Sequence, residues 1–257
     1  TPSSGGLTSE EEATMAKLFT RAVIAGPVKS ILYENETISI DCIAEYRGPQ
    51  GRLTVTVYNK SDNEVTKVSF DVQSSFEGDY MATRVSAPAG TSITSMDELK
   101  LQVAIACRRP FEGDADKSPT CSVNYTANGM MHSIPFRLPV VVNSFCEPMS
   151  MAKDEYMSNW RGLEGGNGTQ VQEMFALGAH LGTISDNLIS KLRSNLFPKL
   201  KIGTIEGIDT ANSITGCCSF KTSTPGADGQ QLTVGAFIRL EADRTGNRFR
   251  ITTRAKD

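Results

Sequence analysis

The residues whose types and spacing could do chemistry are one tryptophan, a tyrosine four positions before it, and arginines near the end of the chain. On a helix, Tyr156 and Trp160 would share one face. Arg250 and Arg254 lie in an alternating segment, where the same spacing places them on one face of a strand. Guanidinium groups bind carboxylates with paired hydrogen bonds and stack on aromatic rings. This combination indicates a pocket for a short peptide that carries a large aromatic residue and a carboxylate.

Each of these residues also has a purely structural interpretation. A single tryptophan on an amphipathic helix is most often packed in a core. Arginines that alternate along a terminal strand are most often a solvated sheet face. Only their combination favours a binding pocket, and we keep both interpretations at this point.

No catalytic, metal or cofactor site is predicted. The chain has two histidines, His132 and His180, and no Gly-x-Ser-x-Gly segment, so a histidine-centred nucleophile is not indicated. The alternating acidic residues 112, 114 and 116 lack the remainder of a calcium loop. The glycines of residues 162–168 lack the Lys-Ser/Thr of a phosphate-binding loop and are expected to end a helix.

The composition is that of a soluble globular protein. Of the 257 residues, 39% are hydrophobic and 21% charged, and the formal net charge is -3. This near-neutral charge argues against a nucleic-acid partner, and no apolar run approaches the roughly 20 residues that span a bilayer. Residues 1–6 have neither the basic nor the apolar region of a signal peptide, so we expect none.

The cysteines support two interpretations. Six cysteines and four Asn-x-Ser/Thr sequons would suit a secreted β-sandwich that binds glycans. However, most of the cysteines lie in apolar stretches, where a thiol behaves as a small buried hydrophobe. We therefore favour six reduced cysteines in a cytosolic protein: Cys42, Cys107, Cys121, Cys146, Cys217 and Cys218.

The pattern of the first half predicts a β-sandwich. Residues 1–25 are expected to be a linker remnant with a short helix, capped by Ser9 and Glu12. Residues 26–142 contain many short alternating segments separated by turn residues, which is typical of two packed antiparallel sheets. The predicted strands cover residues 37–46, 52–58, 65–72, 79–85, 99–107, 121–126 and 131–142, with a turn at residues 48–51.

Residues 143–257 predict a second, α+β domain. Three helical segments are expected at residues 150–163, 171–177 and 185–197. Four strands follow, at residues 200–208, 214–222, 232–241 and 248–253. Helices followed by a run of strands indicate an antiparallel sheet flanked by helices.

The last two strands would build the floor of the pocket. Phe237, Arg239 and Glu241 share one face of their strand, and the arginines from residue 248 to 254 share one face of the next. If the two strands pair, a strongly cationic sheet face results. Tyr156, Met157 and Trp160 would stand at its rim.

Several segments resemble the C-terminal appendage, or ear, of alpha-adaptins, the large subunits of plasma-membrane clathrin adaptors. The similarity spans almost all of residues 20–257 and is densest at the two ends of the second domain. The segments that carry it are Leu-Tyr-Glu-Asn at 32–35, Leu-Pro-Val-Val-Val-Asn-Ser-Phe at 138–145, Glu-Pro-Met-Ser-Met at 147–151, Val-Gly-Ala-Phe-Ile-Arg-Leu-Glu at 234–241 and Arg-Ile-Thr-Thr-Arg-Ala-Lys-Asp at 250–257.

The resemblance implies an immunoglobulin-like β-sandwich followed by a platform, with a motif-binding pocket on the platform. The residues that match this pocket in kind and spacing are Trp160, Arg239, Glu241, Arg250 and Arg254. Tyr156 and Met157 stand where the family usually has two phenylalanines, so the tyrosine hydroxyl is expected to make this wall more polar. Gln170 replaces an acidic residue. On the sandwich, Tyr46 stands where a second peptide site has its aromatic anchor.

The resemblance also implies what the domain does. It would be a non-enzymatic module, without a cofactor, that recruits endocytic accessory proteins through Asp-Pro-Phe/Trp and Phe-x-Asp-x-Phe motifs. Its partners would include the parent heterotetrameric adaptor, with membranes contacted only indirectly, at cytoplasmic clathrin-coated pits of the plasma membrane. The appendage of another coat, such as the coatomer gamma subunit or a gamma-type adaptor, and the secreted glycan binder remain as alternatives, and an enzyme in the second domain is a third.

Overall fold

The structure is a computed structural model, and it describes residues 8–75, 78, 80–86, 88, 90–111, 115–164, 169–225 and 231–255. The chain divides into two compact units, Thr1–Ser144 and Phe145–Asp257. Each unit is described below by itself. The acidic residues 112 and 114, the start of the strand expected from residue 79, and the glycines and the sequon within residues 165–168 lie outside the described residues.

The first unit begins with helix α1 (Ser9–Ala25). Its cap is a reciprocal capping box, in which the Thr8 hydroxyl accepts from the Glu11 backbone and the Glu11 side chain accepts from the Thr8 backbone. The box therefore lies one residue earlier than the Ser9–Glu12 pair that the sequence predicts. Phe19 and Ala22 are the buried residues of this helix.

Eight strands follow in the first unit and form two antiparallel sheets. One sheet has the order β1-β2-β3-β6-β5 and the other the order β4-β7-β8. The fold is thus a β-sandwich, as the sequence predicts. The strands are β1 (Ser30–Glu34), β2 (Ile38–Arg47), β3 (Gln50–Asn59), β4 (Thr66–Gln73), β5 (Met81–Ser86), β6 (Glu98–Cys107), β7 (Thr120–Ala127) and β8 (Met130–Arg137).

Side chains of alternate residues fill the core between these sheets. Strand β7 alternates between buried and half-buried positions along its whole length, which is the pattern of a strand with one face in a core. Arg47 pairs with Gln50, so the predicted turn contains only Gly48 and Pro49, and Gly48 takes a positive φ of 52°. Strand β8 ends at Arg137 rather than at residue 142, and a 3₁₀ turn, Val142–Phe145, follows.

The second unit is a six-stranded antiparallel sheet with helices. Its order is β10-β14-β13-β12-β11, and β9 pairs with β12 as well. Helix α2 supplies Tyr156 to a buried cluster that contains Cys217 and Phe237 from one face of the sheet. The elements are β9 (Cys146–Pro148), α2 (Lys153–Gly162), β10 (Thr169–Ala176), α3 (Asp186–Lys191), a π-helical turn (Leu192–Leu196), α4 (Phe197–Lys199), β11 (Gly203–Thr204), β12 (Ser213–Pro225), β13 (Gln231–Asp243) and β14 (Arg248–Ala255).

The helical segment around α4 packs against the opposite face of this sheet. A Cβ atom added at Gly216 of β12 would lie 2.5 Å from Ile202 and 3.3 Å from the ring of Phe197. Strand and helix therefore approach each other as closely as glycine allows. The two helical layers leave part of the first face, beyond the reach of α2, open.

Two sequence predictions in this unit are wrong. The helix expected at residues 171–177 is strand β10, which pairs with β14 over eight residues. The sequence Gln-Val-Gln-Glu-Met-Phe-Ala favours a helix by its intrinsic propensities, but the free edge of β14 overrides them. The strand expected at residues 200–208 shrinks to Gly203–Thr204, because Leu200 and Lys201 complete the turn that ends α4.

Candidate functional site

The site lies on the sheet face that α2 partly covers. The strand register places Gln170, Arg254, Phe237 and Cys217 in one row across the sheet. The next row contains Gln172, Thr252, Arg239 and Thr215, and the third contains Met174, Arg250, Glu241 and Ser213. The first row lies under α2. In the other two rows Thr215, Thr252 and Ser213 are buried. The remaining residues are exposed or half-buried and form the open floor: Gln172, Arg239, Met174, Arg250 and Glu241.

Helix α2 presents its aromatic residues to the first row. Asp154 and Glu155 lie in its first turn and Arg161 in its last, which complements the helix dipole. The rings of Tyr156 and Trp160 stack with centroids 5.9 Å apart, as the four-residue spacing predicts. Trp160 and Met157 are half-buried and pack against the cluster of Tyr156, Leu163, Ile205, Cys217 and Phe237.

Tyr156 is a core residue and not part of the pocket wall. Only 1% of its surface is exposed, and its ring meets Phe237 edge-on at 5.7 Å. Its hydroxyl donates to the backbone carbonyl of Ile238 at 2.9 Å, and burial raises the pKa of the phenol. The prediction that this hydroxyl makes the wall polar is therefore wrong, because the hydroxyl points into the sheet.

Arg254 holds Trp160 and is not available to a ligand. It is 7% exposed, and its guanidinium carbon lies 4.3 Å from the centroid of the tryptophan ring. The Nη1 group donates to the backbone carbonyl of Trp160, Nε donates to Gln170 at 2.8 Å, and Nη2 pairs with Glu164 at 3.2 Å. In this structure Arg254 positions Trp160, and a contact between Arg254 and a peptide stays a prediction.

Gln170 shares in this positioning role. It lies on β10, directly across from Arg254, and its side-chain oxygen accepts the Nε hydrogen bond. An amide makes this contact without adding a second negative charge beside Glu164. Gln170 thus supports the tryptophan through Arg254 rather than lining the open floor.

Arg239 and Arg250 are the arginines of the open floor. Glu241 bridges them, with Arg250 at 2.6 and 3.0 Å from one carboxylate oxygen and Arg239 at 3.2 Å from the other. The Arg239 side chain is 42% exposed. Its Nε atom is buried and has no hydrogen-bond partner among the described residues.

The floor carries less charge than the sequence predicts. Glu241 offsets one of its two arginines, and Arg248 pairs with Asp243 at 3.1 Å. The predicted strongly cationic face is therefore a mixed face with an excess of about one positive charge.

Sequence reasoning missed the contribution of β10 to this floor. Gln172 accepts a hydrogen bond from Thr252 at 3.4 Å, and Met174 closes the far end of the floor beside Glu241 and Arg250. A cleft of about 320 Å³ opens there, lined also by Ala242, Asp243, Arg248 and Phe249. No polar–apolar alternation marks this strand in the sequence. Met174 falls on the face of Gln170 and Gln172, and Glu173 falls on the face of Val171 and Phe175.

Tyr46 of the first unit is half-buried. Its hydroxyl donates to the carbonyl of Pro139 at 2.6 Å, and burial raises the pKa of the phenol. Its ring lies over Gly51, where an added Cβ atom would be 2.7 Å away. A second peptide site around Tyr46 stays a prediction.

The described residues also include a cavity in the first unit and six cysteines. A cavity of about 580 Å³ lies in the first unit between α1 and the sandwich, and Met15, Phe19, Leu32 and Phe136 are among the residues that line it. All six cysteines are buried and none forms a disulfide. In the part of the chain that the structure describes, no His/Cys/Asp/Glu group could hold a metal ion, and no helix is long and apolar enough to span a bilayer.

Comparison with known proteins gives matches in both units. The family model of the adaptin C-terminal domain matches residues 29–139. The model of the alpha adaptin AP2 C-terminal domain matches residues 144–257. The two matches together cover most of the chain.

Curated relatives and a solved structure were also found. The chain is 25% identical to AP-2 complex subunit alpha-2 of Dictyostelium discoideum over 89% of its own length and 21% of the relative. It is 23% identical to AP-2 complex subunit alpha-1 of Arabidopsis thaliana over 87% of its length and 20% of that protein. The GAE domain of GGA2p from Saccharomyces cerevisiae aligns with 45% of this chain and all of its own, with 14% identity and a TM-score of 0.37, too low to carry an argument.

The resemblance that the sequence suggests is therefore confirmed. The chain spans about a fifth of the length of the curated relatives it matches. The matched region is the carboxyl-terminal part by the descriptions of the two family models. The chain belongs to the family of alpha-adaptin C-terminal appendage domains.

Proposed function

We propose that the second unit is a peptide-recruitment module that binds Asp-Pro-Phe/Trp and Phe-x-Asp-x-Phe motifs in disordered segments of endocytic accessory proteins. The observation that carries this proposal is half-buried Trp160 over Arg254, one row of the sheet away from Arg239, whose side chain is 42% exposed. The motif's aromatic ring would pack on Trp160 and Met157. Its aspartate would accept hydrogen bonds from Arg239 and Arg250.

Rigidity of the pocket supports this mechanism. Arg254 fixes the tryptophan by stacking on its ring and by a hydrogen bond to its backbone, and Glu241 fixes both floor arginines. Binding therefore costs conformational entropy in the ligand but little in the pocket, whose side chains are already held in place. Because a disordered ligand loses conformational entropy, we expect a single motif to bind with a dissociation constant on the order of 10–100 µM.

Weak single motifs would act through repetition. Several motifs in one disordered chain raise the effective local concentration and lengthen the residence time. We propose that the domain acts in this way, without catalysis, as part of a cytoplasmic adaptor complex at clathrin-coated pits. The contact with membranes would then be indirect, and no nucleic acid would be bound.

Three alternatives receive less support. The family models and the curated relatives are those of alpha adaptins, which favours this subunit over the appendage of another coat. The secreted glycan binder needs a disulfide framework, whereas all six cysteines are buried thiols. An enzymatic function in the second unit has no supporting observation beyond the pocket itself.

Calorimetric titration tests the proposal. Peptides that contain Asp-Pro-Trp or Phe-x-Asp-x-Phe are titrated into the wild-type chain and into Arg239→Ala and Trp160→Ala. Loss of a charge-assisted contact of about 1.5–3 kcal/mol should weaken binding roughly 10–100-fold in Arg239→Ala, and the tryptophan variant should bind at least as poorly.

The controls separate binding from folding. Arg52→Ala, which removes an exposed arginine of the first unit paired with Glu45, should bind like wild type. Urea denaturation of every variant shows which are folded, and Arg239→Ala decides the matter if Trp160→Ala unfolds. A folded wild type that binds neither peptide would overturn the proposal.

A further inference from the structure

Strand β10 ends the sheet of the second unit and offers a free edge. It pairs with β14 in continuous register from Thr169–Ala255 to Ala176–Arg248, without a bulge. Among the described residues, no strand pairs with its other side. From Gln170 to Ala176, its outward N–H and C=O groups face away from β14 and could pair with another extended chain.

This edge lacks the features that usually protect such strands. Edge strands are commonly short, bulged or interrupted by proline or lysine. Thr169–Ala176 has eight exposed residues, no proline, no basic residue and a single charge, at Glu173. Val171, Met174 and Phe175 are 56%, 55% and 48% exposed. An unprotected edge of this length indicates a docking strand rather than a solvated border.

The side chains of β10 specify the chemistry of the occupant. Val171, Glu173 and Phe175 share one face, and the ring of Phe175 stacks on Phe249 of β14 with centroids 5.7 Å apart. Residues directly across from these three would contribute through aromatic, β-branched and opposite-charge pairs. Glu173 has no ion-pair partner among the described residues, so it would favour a lysine or arginine opposite.

We propose that β10 is a docking edge for an extended peptide segment of a partner protein, added antiparallel as a further strand. The segment carries β-branched or aromatic residues opposite Val171 and Phe175, and a basic residue opposite Glu173. A second copy of this chain fits less well, because its own β10 has no lysine or arginine to place there. This inference uses a different surface from the motif pocket and does not depend on it.

A designed probe tests the proposal on the whole chain. The peptide is acetyl-Thr-Val-Thr-Lys-Thr-Tyr-Gln-Thr-amide with a fluorescent label, followed by anisotropy. Two further peptides carry N-methyl groups on every second backbone nitrogen. One is methylated at the odd-numbered residues and the other at the even-numbered residues. In a strand pair, only one set of N–H groups faces the neighbour. We expect saturable binding of the parent peptide, loss of binding by one methylated version, and retention by the other.

A charge exchange tests the register. Glu173→Lys should weaken binding of the lysine peptide roughly fivefold. A peptide with glutamate in place of lysine should bind this variant about as tightly as the lysine peptide binds the wild type. The matched control is Glu155→Lys, an exposed acidic residue of α2, which should leave binding unchanged. Glu173→Lys should leave binding of the motif peptides unchanged, so that failure of the motif pocket and failure of the edge are distinguishable.

Three results would overturn the proposal. Equal effects of the two methylated versions would mean that the backbone is not paired. Displacement of the bound probe by excess motif peptide would place the probe in the motif pocket. Sedimentation equilibrium that shows a dimer dissociated by Phe175→Lys would make a second copy the occupant.

Discussion

At the scale of single residues, burial separates arginines that the sequence treats alike. Arg250 and Arg254 lie four apart on one face of β14, yet one is half-exposed and the other is enclosed by Trp160, Gln170 and Glu164. The enclosed arginine contributes to stability and to the position of the tryptophan. The side chains of Arg239 and Arg250 are 42% and 47% exposed, and the proposed function assigns the ligand contacts to them.

The different roles of Arg254 and Arg239 can be tested by stability. Arg254→Ala removes a buried cation–π contact and charge-assisted hydrogen bonds, so we expect a loss of about 3 kcal/mol in the free energy of unfolding. Arg239→Ala removes a side chain that is 42% exposed and whose partner Glu241 keeps its pairing with Arg250, so it should cost less than about 1 kcal/mol. Urea denaturation measures both, and equal losses would contradict the assignment of roles.

The buried hydroxyl of Tyr156 makes a second prediction at this scale. Tyr156→Phe leaves the ring stack intact but removes the hydrogen bond to Ile238, so stability should fall by about 1 kcal/mol. Binding of the motif peptides should stay within about twofold of wild type, since the hydroxyl does not reach the pocket. Tyr80→Phe, at an exposed position, is the matched control and should change neither quantity.

At the scale of elements, one sheet carries both the proposed pocket and the proposed docking edge. Helix α2 covers the row of Phe237 and Arg254, and Arg239 in the next row is half-buried. The other face must be tightly closed for the sheet to serve as a rigid floor. Gly216 is the point of closest approach between β12 and the segment around α4.

A methyl group at Gly216 tests this close packing. Gly216→Ala would force Ile202 and the backbone carbonyl of Gly203, 2.5 and 2.7 Å from the new atom, to move. We expect a loss of about 1–3 kcal/mol in stability. Gly235→Ala, on the neighbouring strand, has its nearest contact at 3.7 Å and should be close to neutral. A neutral Gly216→Ala would show that the segment around α4 yields easily.

At the scale of the whole molecule, the buried thiols make stability depend on alkaline pH. Burial raises the pKa of Cys42 and of Cys121 from 9.0 to about 12. Between these values the native state binds more protons than the unfolded chain. Stability is therefore fully present below about pH 9 and falls as the pH rises toward 12.

The size of this effect can be measured with a double variant. At pH 10 each thiol should have lost about 1 kcal/mol of its contribution relative to pH 7.5. Cys42→Ala/Cys121→Ala should be less stable at neutral pH, because it leaves cavities, but should show a flatter decline with pH. Urea denaturation at pH 7.5, 9 and 10 makes the comparison, and parallel declines would refute the linkage.

The sequence by itself determined the sandwich strands, the α+β character of the second half, the aromatic face of α2 and the family resemblance. These features follow from local periodicity and from residue types. The four-residue spacing of Arg250 and Arg254 likewise sufficed to place both on one face of their strand. Face and period are local properties, because a strand or a helix repeats along its own axis.

Only the tertiary structure decided which members of a face are buried. Helix α2 covers one row of the sheet, and this separates Arg254 from Arg239 and turns the hydroxyl of Tyr156 inward. The open edge of β14 made residues 169–176 a strand although their propensities favour a helix. In each case the packing or pairing partner is distant in the sequence. A local sequence pattern does not specify which distant element will pack against a segment.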